Sequence, residues 1–389
     1  MSRRGHHRLD QSPWSFGVVA NVAIVALLVL FWGLQAGSSM GHYAAVQEDG
    51  VLEWATFWGF LVASGAFIES ARRQRQAAEA IPWFVLGVGL FCFLVGMEEI
   101  SWGQRLFGYR SPSYFLANNL QQEFNLHNVI DADLRARAVQ ATILVYGILL
   151  PLAGLFAPLR RVTRQLGVIA PPMVLVPAFA VMLFFYLWYP WRYLDEVVES
   201  MLALGFMFAG LWMMDSLRSR DDSRYSSVAS LGVTLCAIGF LSFASAAFSQ
   251  SSRGVHPGDL RAAIAETKML KQDFLTIEDE TGNVPSECGV HDRIYNFAED
   301  YDVELLDRGA FASLVQQGLP EERADFFIDP WDSAYWVRDR CSEDTDERVV
   351  FVYSMGPNRR RDSNKWRIRG DDIGAYVVCG PEEHASRDE

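Results

Sequence analysis

The last third of the chain, residues 251–389, lacks any long apolar run and has few basic side chains relative to its acidic ones. It carries 30 acidic and 17 basic residues, whereas residues 1–250 carry 17 of each, so the whole net charge of −13 lies in this part. The lack of an apolar run excludes a membrane span there, and the acidity argues against nucleic acid as a partner. Residues 251–389 are therefore predicted to form an acidic domain in water.

Residues 1–250 instead contain apolar runs of about 20 residues, the length that crosses a hydrocarbon core of roughly 30 Å. The first run is too long for the core of a signal peptide, and no convincing small-residue cleavage site follows it, so we expect it to be retained. Seven runs are predicted to span the membrane, at about residues 14–35, 51–68, 80–97, 138–159, 168–189, 197–217 and 228–248.

Basic side chains mark one side of these spans. They cluster before the first run and at residues 72–75, 160–164 and 218–224, which all fall on the same side if the chain simply alternates. The positive-inside rule assigns that side to the cytoplasm. The sequence thus predicts an α-helical polytopic membrane protein with seven spans, with its N-terminus inside and residues 251–389 extracytoplasmic. We expect it in a bacterial inner (plasma) membrane, with membrane lipids as partners.

A polar stretch, residues 98–105, follows the third run. A charge at the bilayer centre costs roughly 2.5–3.5 kcal/mol on insertion scales, and less near the interface. If the helix continues, Glu98, Ser101 and Arg105 share one face. Two interpretations stay open, namely an interfacial ion pair that anchors the helix end and a polar site at the membrane surface.

The loop at residues 114–128 is crowded with amides and carries a carboxylate and an imidazole. If it forms an interfacial helix, Asn119, Glu123 and His127 lie on one face. Glu123 and His127, with an acid from each of two other outer stretches, can bind a hard or borderline cation or do acid–base work on a lipid headgroup. A packed polar plug and an ion or proton path are the alternatives. The candidate residues are Glu98, Glu99, Arg105, Glu123, His127 and Glu196.

Histidine is scarce in these outer loops. Only His42 and His127 are predicted to lie in them, so a three-histidine zinc site is not expected. Seven-span hydrolases of the ceramidase type use several histidines, and this chain lacks that pattern. The strings EEISWGQRLFG (98–108) and NLHN (125–128) resemble those of a family of uncharacterised bacterial membrane proteins, and this resemblance implies no activity.

The acidic part is predicted to begin with a helix and to contain strands. The helix runs from about Asp259 to Glu278 and is stopped by Thr281-Gly282-Asn283. A strand is predicted over Arg348–Ser354, and the last strand over about Ala375–Val378. An α+β domain is therefore expected.

Four spaced motifs in this part resemble the C-terminal domain of the type II secretion major pseudopilin. They are Gly282 and Pro285 at the helix end; Asp329, Pro330, Trp331 and Tyr335; Tyr353, Ser354 and Gly356; and Asp371, Asp372 and Ile373. The resemblance implies a pseudopilin-like fold and a partner such as an envelope or secretion-system protein. The cleavage signal of pilins is not found before Val228, so we do not expect this domain to be processed or polymerised as they are.

The same resemblance implies calcium in the loop between the last two strands. Its candidate ligands here are Ser354, Asp362, Asp371 and Asp372. The chain departs from the family at Asp332, Ala334 and Asn358, and the bases at residues 359–361 and 365 would lower the affinity for a cation. A loop held by Asp–Arg pairs is the alternative.

The chain has five cysteines. Cys92 and Cys236 lie in predicted spans and are interpreted as small apolar residues. Cys288, Cys341 and Cys379 lie in the outer domain, where oxidation is possible. Because Cys341 and Cys379 flank the predicted sheet, their pairing is favoured, although spacing alone does not determine a disulfide.

Two functional hypotheses follow. In the first, the protein is an envelope protein whose helices anchor an outer domain that binds a partner. In the second, it is a membrane enzyme that acts on a lipid or lipid-linked substrate at the outer leaflet through the Glu/His residues. A closed, fully paired polar cluster would favour the first, and a bound metal would favour the second.

Overall fold

The structure, a computed structural model, describes residues 13–47, 49–78, 81–107, 109–119, 122–217, 228–250, 256–282, 284, 288–300, 323, 325–342 and 347–378. Some residues used in the sequence predictions lie outside this described part, namely Arg3, Arg4, Arg8, Glu48, Arg218, Arg220, Arg224, Pro285 and Cys379.

The chain forms two compact units. The first comprises Met1–Phe107 and Asn125–Phe248, and the second comprises Gly108–Phe124 and Ser249–Glu389. A segment from the middle of the apolar part of the sequence therefore belongs to the same unit as the acidic C-terminal part.

The first unit is helical. In its described part the helices are α1 (Pro13–Gly37), α2 (Ser39–Val46), α3 (Val51–Ala78), α4 (Trp83–Glu99), α5 (Gln104–Phe107), α7 (Ala132–Ala141), α8 (Leu150–Ala153), α9 (Ala157–Gln165), α10 (Val176–Trp188), α11 (Leu194–Ser216) and α12 (Val228–Gln250), while α6 (Ser113–Asn118) belongs to the second unit. A π-helix over Thr142–Leu149 joins α7 to α8 without a break, and short 3₁₀ turns precede α5 and α10.

Helix α11 is the centre of this unit. Most residues from Leu194 to Met213 are buried, and the helix packs against α1, α3 and α10. Small residues allow the close approach to α3, because a Cβ at Gly59 would lie 3.0 Å from the Cβ of Ala203, and one at Gly210 would lie 3.1 Å from that of Ala66. Small-residue contacts of this kind are typical of helices that pack within membranes.

The apolar runs form helices, and five of these are long and apolar enough to cross a membrane. They are Ser15–Gly37, Gly41–Gln76, Ala132–Ala153, Leu194–Ser216 and Ser230–Ser249. The other two predicted spans form shorter helices, the 17 residues of α4 and the 13 residues of α10. The prediction of a helical membrane protein is thus confirmed at the level of five candidate spans.

The second unit is built on a four-stranded antiparallel sheet with the order β1 (His291–Arg293), β2 (Trp336–Cys341), β3 (Arg348–Ser354) and β4 (Ile373–Val378). Helix α13 (Pro257–Thr281) packs on one face of the sheet, where Leu270 and Phe274 meet Val337, Val350 and Val352. A short helix, α14 (Ile294–Asp300), follows β1.

Helix α13 is also tied to the sheet by a buried carboxylate. Glu266 is 1% exposed, and its two oxygens accept hydrogen bonds from the Tyr335 hydroxyl and the Arg323 guanidinium. Because a buried carboxylate is tolerated only when it is paired and hydrogen-bonded, these contacts specify the register of the helix on the sheet.

The disulfide joins Cys288 to Cys341, with their Cα atoms 5.5 Å apart, so the favoured pairing of Cys341 with Cys379 is wrong. The reason lies in the backbone before β1. Gly289 N–H donates to Asp339 O at 3.2 Å, and Asp339 N–H donates to Val290 O at 2.9 Å. These hydrogen bonds place Cys288 beside the end of β2. No local sequence pattern predicts this position.

Candidate functional site

The helix that leads into the polar stretch ends earlier than expected. Helix α4 ends at Glu99, and Ser101, Trp102 and Gly103 take positive φ values of 46°, 55° and 78°. Glu98, Ser101 and Arg105 therefore do not share a helical face, and that expectation is wrong. The side chain of Arg105 lies outside the described part of the structure.

The carboxylate of Glu98 binds the turn that follows the long loop. It accepts hydrogen bonds from Trp102 Nε1 at 2.8 Å, from Leu126 N at 2.5 Å and from His127 N at 3.1 Å. Asn125 Nδ2 donates to Ser101 Oγ at 2.9 Å beside it. With three donors on its two oxygens, Glu98 has the environment of a structural anchor.

The neighbouring acids are in a different situation. Glu99 interacts electrostatically with Glu199, Glu196 and Glu98 and, among the cations of the described residues, with Arg135. Arg135 Nη1 also donates to His127 O at 3.3 Å and to Asn128 Oδ1 at 3.1 Å. The structure therefore gathers Glu98, Glu99 and Glu196 near the ends of α4 and α11, and it adds Glu199 and Arg135 to the set.

The loop at residues 114–128 does not form the predicted interfacial helix. Helix α6 ends at Asn118, Asn119 is extended, and Gln122 has a φ of 55°. Asn119 Nδ2 donates to Glu123 O at 2.7 Å, so a side chain satisfies the backbone in place of a helical bond. Glu123 is buried and belongs to the second unit. His42 is not in a loop either, because it is buried within α2.

The loop between β3 and β4 brings three of the four predicted calcium ligands together. Oxygen atoms of Asp362, Asp371 and Asp372 all lie within 4.8 Å of one another. Calcium binds oxygen ligands at 2.3–2.6 Å, so two ligands of one ion are separated by up to about 5 Å. The separation of these carboxylates is therefore suited to a single calcium ion.

Backbone donors orient the three carboxylates. Asp371 Oδ2 accepts from Asn358 N at 3.1 Å, and Asp372 Oδ2 accepts from Ser363 N at 2.8 Å. Among the described residues, no arginine or lysine forms an ion pair with any of the three carboxylates, in contrast to the alternative of a loop held by Asp–Arg pairs.

Two glycines make this loop geometry possible. Gly356 has a φ of 68°, and a Cβ there would lie 2.2 Å from the carbonyl oxygen of Asp371. Gly370 has a φ of 65°, and a Cβ there would lie 2.2 Å from Asp362 Oδ2. Both positions need left-handed backbone and close approach, which other residues do not allow.

Burial and mutual repulsion both act on these carboxyl groups. Burial, followed by a hydrogen bond to the Asp362 carboxyl, raises the pKa of Asp371 to about 6. Burial likewise raises the pKa of Asp372 to about 6. A divalent cation would relieve this repulsion and favour the ionised forms.

The fourth predicted ligand, Ser354, lies elsewhere. Its hydroxyl donates to Asp329 Oδ2 at 2.6 Å and accepts from Gly356 N at 2.9 Å. Asp329 is fully buried and also accepts from Trp331 N at 2.9 Å and Ser333 N at 2.8 Å. Ser354 thus joins the turn at residues 329–333 to the start of the loop.

Asp332 forms ion pairs with two arginines, which the sequence did not predict. Arg110 Nη2 lies 3.1 Å from Asp332 Oδ1, and Arg359 Nη2 lies 3.9 Å from Asp332 Oδ2. Asp332 connects the segment at residues 109–119 to the acidic loop. Arg110 and Asp332 are 222 residues apart in sequence, so no local pattern predicts their ion pair. The one available signal was that Asp332 stands where the pseudopilin motif has a glycine.

No protein-family model matches the chain, and no curated protein or solved structure is similar to it. The likeness to pseudopilins, made on spaced motifs, stays a prediction.

Proposed function

We propose that the protein is a seven-span inner-membrane protein that presents a calcium-binding α+β domain on the outer side, where the domain binds an envelope or secretion-system protein. The observation that carries this proposal is the group of three carboxylates in the loop between β3 and β4. It has the ligand type and the separation that calcium requires, and no basic side chain of the described residues neutralises it.

The two chain segments that make up the second unit support seven membrane crossings. Gly108–Phe124 and Ser249–Glu389 share one compact unit, so they lie on one side of the membrane. Four apolar helical stretches separate them, namely α7–α8, α10, α11 and α12. An even number of crossings between the two segments requires the short helix α10 to cross as well.

The distribution of basic residues supports the crossing of α4. The clusters at residues 72–75 and 160–164 lie on one side by the positive-inside rule. In the described part of the chain, α4 and α7–α8 are the long apolar helical stretches between them, so clusters on one side favour crossing by both. The 17 residues of α4 extend about 25 Å, which is at the short end of the range for a span.

The test is a calcium titration of the full chain in detergent by isothermal titration calorimetry. Wild type is expected to bind one calcium ion per chain, and Asp371→Asn/Asp372→Asn is expected to lose this binding. Asp279→Asn/Glu280→Gln is the matched control, because it neutralises two adjacent exposed acids at the end of α13. Equal binding by wild type and Asp371→Asn/Asp372→Asn would refute the site.

A second function is favoured by one observation in the membrane unit. Glu99 is repelled by Glu199, Glu196 and Glu98, and Arg135 is the cation of the described residues that acts on it, so a bound cation would offset this repulsion. This arrangement supports the alternative of a metal-dependent enzyme acting on a lipid or lipid-linked substrate. It predicts that purified protein holds a metal that Glu99→Gln/Glu196→Gln removes.

A further inference from the structure

The sheet face opposite α13 holds a second apolar cluster, in which Val349, Phe351 and Tyr353 pack against Trp336 and Trp366. The charged side chains on this face are basic, although the domain as a whole is acidic. Strand pairing aligns His291 with Arg338 and Phe351, and it aligns Arg293 with Trp336 and Tyr353. Arg340 follows two residues after Arg338 and points to the same side. The described strand positions on this face hold three arginines and no carboxylate, and they are His291, Arg293, Trp336, Arg338, Arg340, Val349, Phe351, Tyr353, Gly374 and Tyr376.

The nearest acid of the same strand points to the other face. Asp339 is buried and pairs there with Arg348 Nη2 at 2.5 Å. Among the residues that the structure describes, Arg338 and Arg340 form no ion pair. Both side chains are partly exposed, so their charge is accessible to a ligand.

Aromatic rings hold these guanidinium groups in position. Arg293 Cζ lies 5.2 Å from the ring centroid of Trp336, and Arg340 Cζ lies 6.0 Å from that of Trp366. Arg338 hydrogen-bonds to the Tyr353 hydroxyl, which contacts His291 Nε2 at 2.8 Å. Cation–π contacts and a hydroxyl orient the groups.

The two arginines also have unsatisfied donors. In the described part of the chain, no acceptor lies within hydrogen-bonding distance of Arg338 Nη1 or Arg340 Nε, both of which are turned away from solvent. Burial lowers the pKa of Arg338, and the charges of Arg361 and Arg340 lower it further. The charges of its neighbours therefore act against the charge of Arg338, and an anion would offset them.

We propose that Arg338 and Arg340 bind a phosphate group on this sheet face, beside the ring of Trp366. Residues two apart on a strand are separated by about 6.6 Å, and a phosphate has enough acceptor oxygens to bridge two guanidinium forks at that spacing. A single carboxylate has two oxygens and matches one fork. The phosphate belongs either to a soluble ion or ester or to a lipid headgroup.

The first experiment titrates inorganic phosphate into the full chain in detergent, in calcium-free buffer, by calorimetry. Wild type is expected to bind one phosphate, and Arg338→Gln/Arg340→Gln is expected to bind at least tenfold more weakly. Arg261→Gln/Lys268→Gln is the matched control, because it removes two exposed charges from α13 and should bind like wild type. Asp371→Asn/Asp372→Asn should also retain phosphate binding, which separates this site from the proposed calcium loop.

The second experiment distinguishes the source of the phosphate. The full chain is reconstituted in nanodiscs of phosphatidylcholine alone or with phosphatidic acid. A headgroup ligand is expected to raise the melting temperature of wild type in phosphatidic acid discs and not that of Arg338→Gln/Arg340→Gln. If the double Gln variant does not fold, Arg338→Lys/Arg340→Lys is used instead. It retains the charge without the guanidinium groups and should bind with intermediate strength. The proposal is overturned if neither phosphate nor phosphatidic acid distinguishes wild type from these variants.

Discussion

Asp329 is a fully buried carboxyl group whose desolvation outweighs the three hydrogen bonds it accepts. Burial raises its pKa to about 7, while the Ser354 hydroxyl and the N–H groups of Ser333 and Trp331 act in the opposite direction. In the unfolded chain an aspartate has a pKa of about 3.9. The folded state therefore binds the proton more tightly than the unfolded state does.

This residue predicts a fall in stability with rising pH. Between pH values of about 4 and 7 the native domain holds a proton that the unfolded chain has lost, so the free energy of unfolding decreases by up to about 1.4 kcal/mol per pH unit. Asp329→Asn imitates the protonated form and should flatten this dependence. Denaturant unfolding of the full chain at several pH values, in calcium-free buffer, checks it. An unchanged pH dependence in Asp329→Asn would contradict the raised pKa.

At the scale of elements, the end of helix α4 is held by one acceptor, the Glu98 carboxylate. The end of α4, the 3₁₀ turn after it and the turn at residues 125–128 all meet at the Glu98 carboxylate. In Glu98→Gln the amide NH₂ group would replace one of the two carboxylate oxygens. At least one of the present N–H donors would then face another donor. A donor without an acceptor costs about 1–3 kcal/mol.

We therefore expect Glu98→Gln to lower the melting temperature of the detergent-solubilised chain by several degrees. Glu69→Gln is the comparison, because Glu69 accepts only from the side chains of Arg72 and Arg73 at a partly exposed position. Surface pairs of this kind contribute less than about 1 kcal/mol. Equal effects of the two variants would show that Glu98 does not anchor the helix end.

Elements with strong local signals were predictable from the sequence. Strand β3 occupies the predicted residues, and α13 ends at Gly282, whose φ of 77° and N–H bond to Glu278 O make it a helix C-cap. The possible helix at residues 114–128 is not formed, because α6 ends at Asn118 and the Asn119 side chain donates to the backbone of Glu123. The disulfide partner and the Arg110–Asp332 pair depend on tertiary contacts, for which local periodicity carries no information.

The candidate site shows the same division. Asp362, Asp371 and Asp372 were predicted from spaced motifs, and the structure brings their oxygens within 4.8 Å of one another. Ser354, predicted from the same motifs, binds Asp329 instead. Arg135 was missed as the partner of the membrane acids because it lies in the polar first turns of α7, outside any motif.

At the scale of the whole molecule, the proposal of seven crossings predicts which side of the membrane each segment faces. Under seven crossings, a cysteine at exposed Ser113 faces the outside, and one at exposed Gln165 faces the cytoplasm. A membrane-impermeant maleimide should label Ser113→Cys in intact cells, above the level of the parent chain. Gln165→Cys should react only after permeabilisation. Labelling of Gln165→Cys in intact cells would contradict seven crossings.

The most direct test of the central claim, that the acidic loop binds calcium, is the metal content of the detergent-purified chain. Elemental analysis would compare wild type, Asp371→Asn/Asp372→Asn and Glu99→Gln/Glu196→Gln after dialysis against calcium. We predict one calcium per chain in wild type and in Glu99→Gln/Glu196→Gln, and none in Asp371→Asn/Asp372→Asn. Calcium retained in Asp371→Asn/Asp372→Asn, or lost only in Glu99→Gln/Glu196→Gln, would contradict the account and move the metal to the membrane unit.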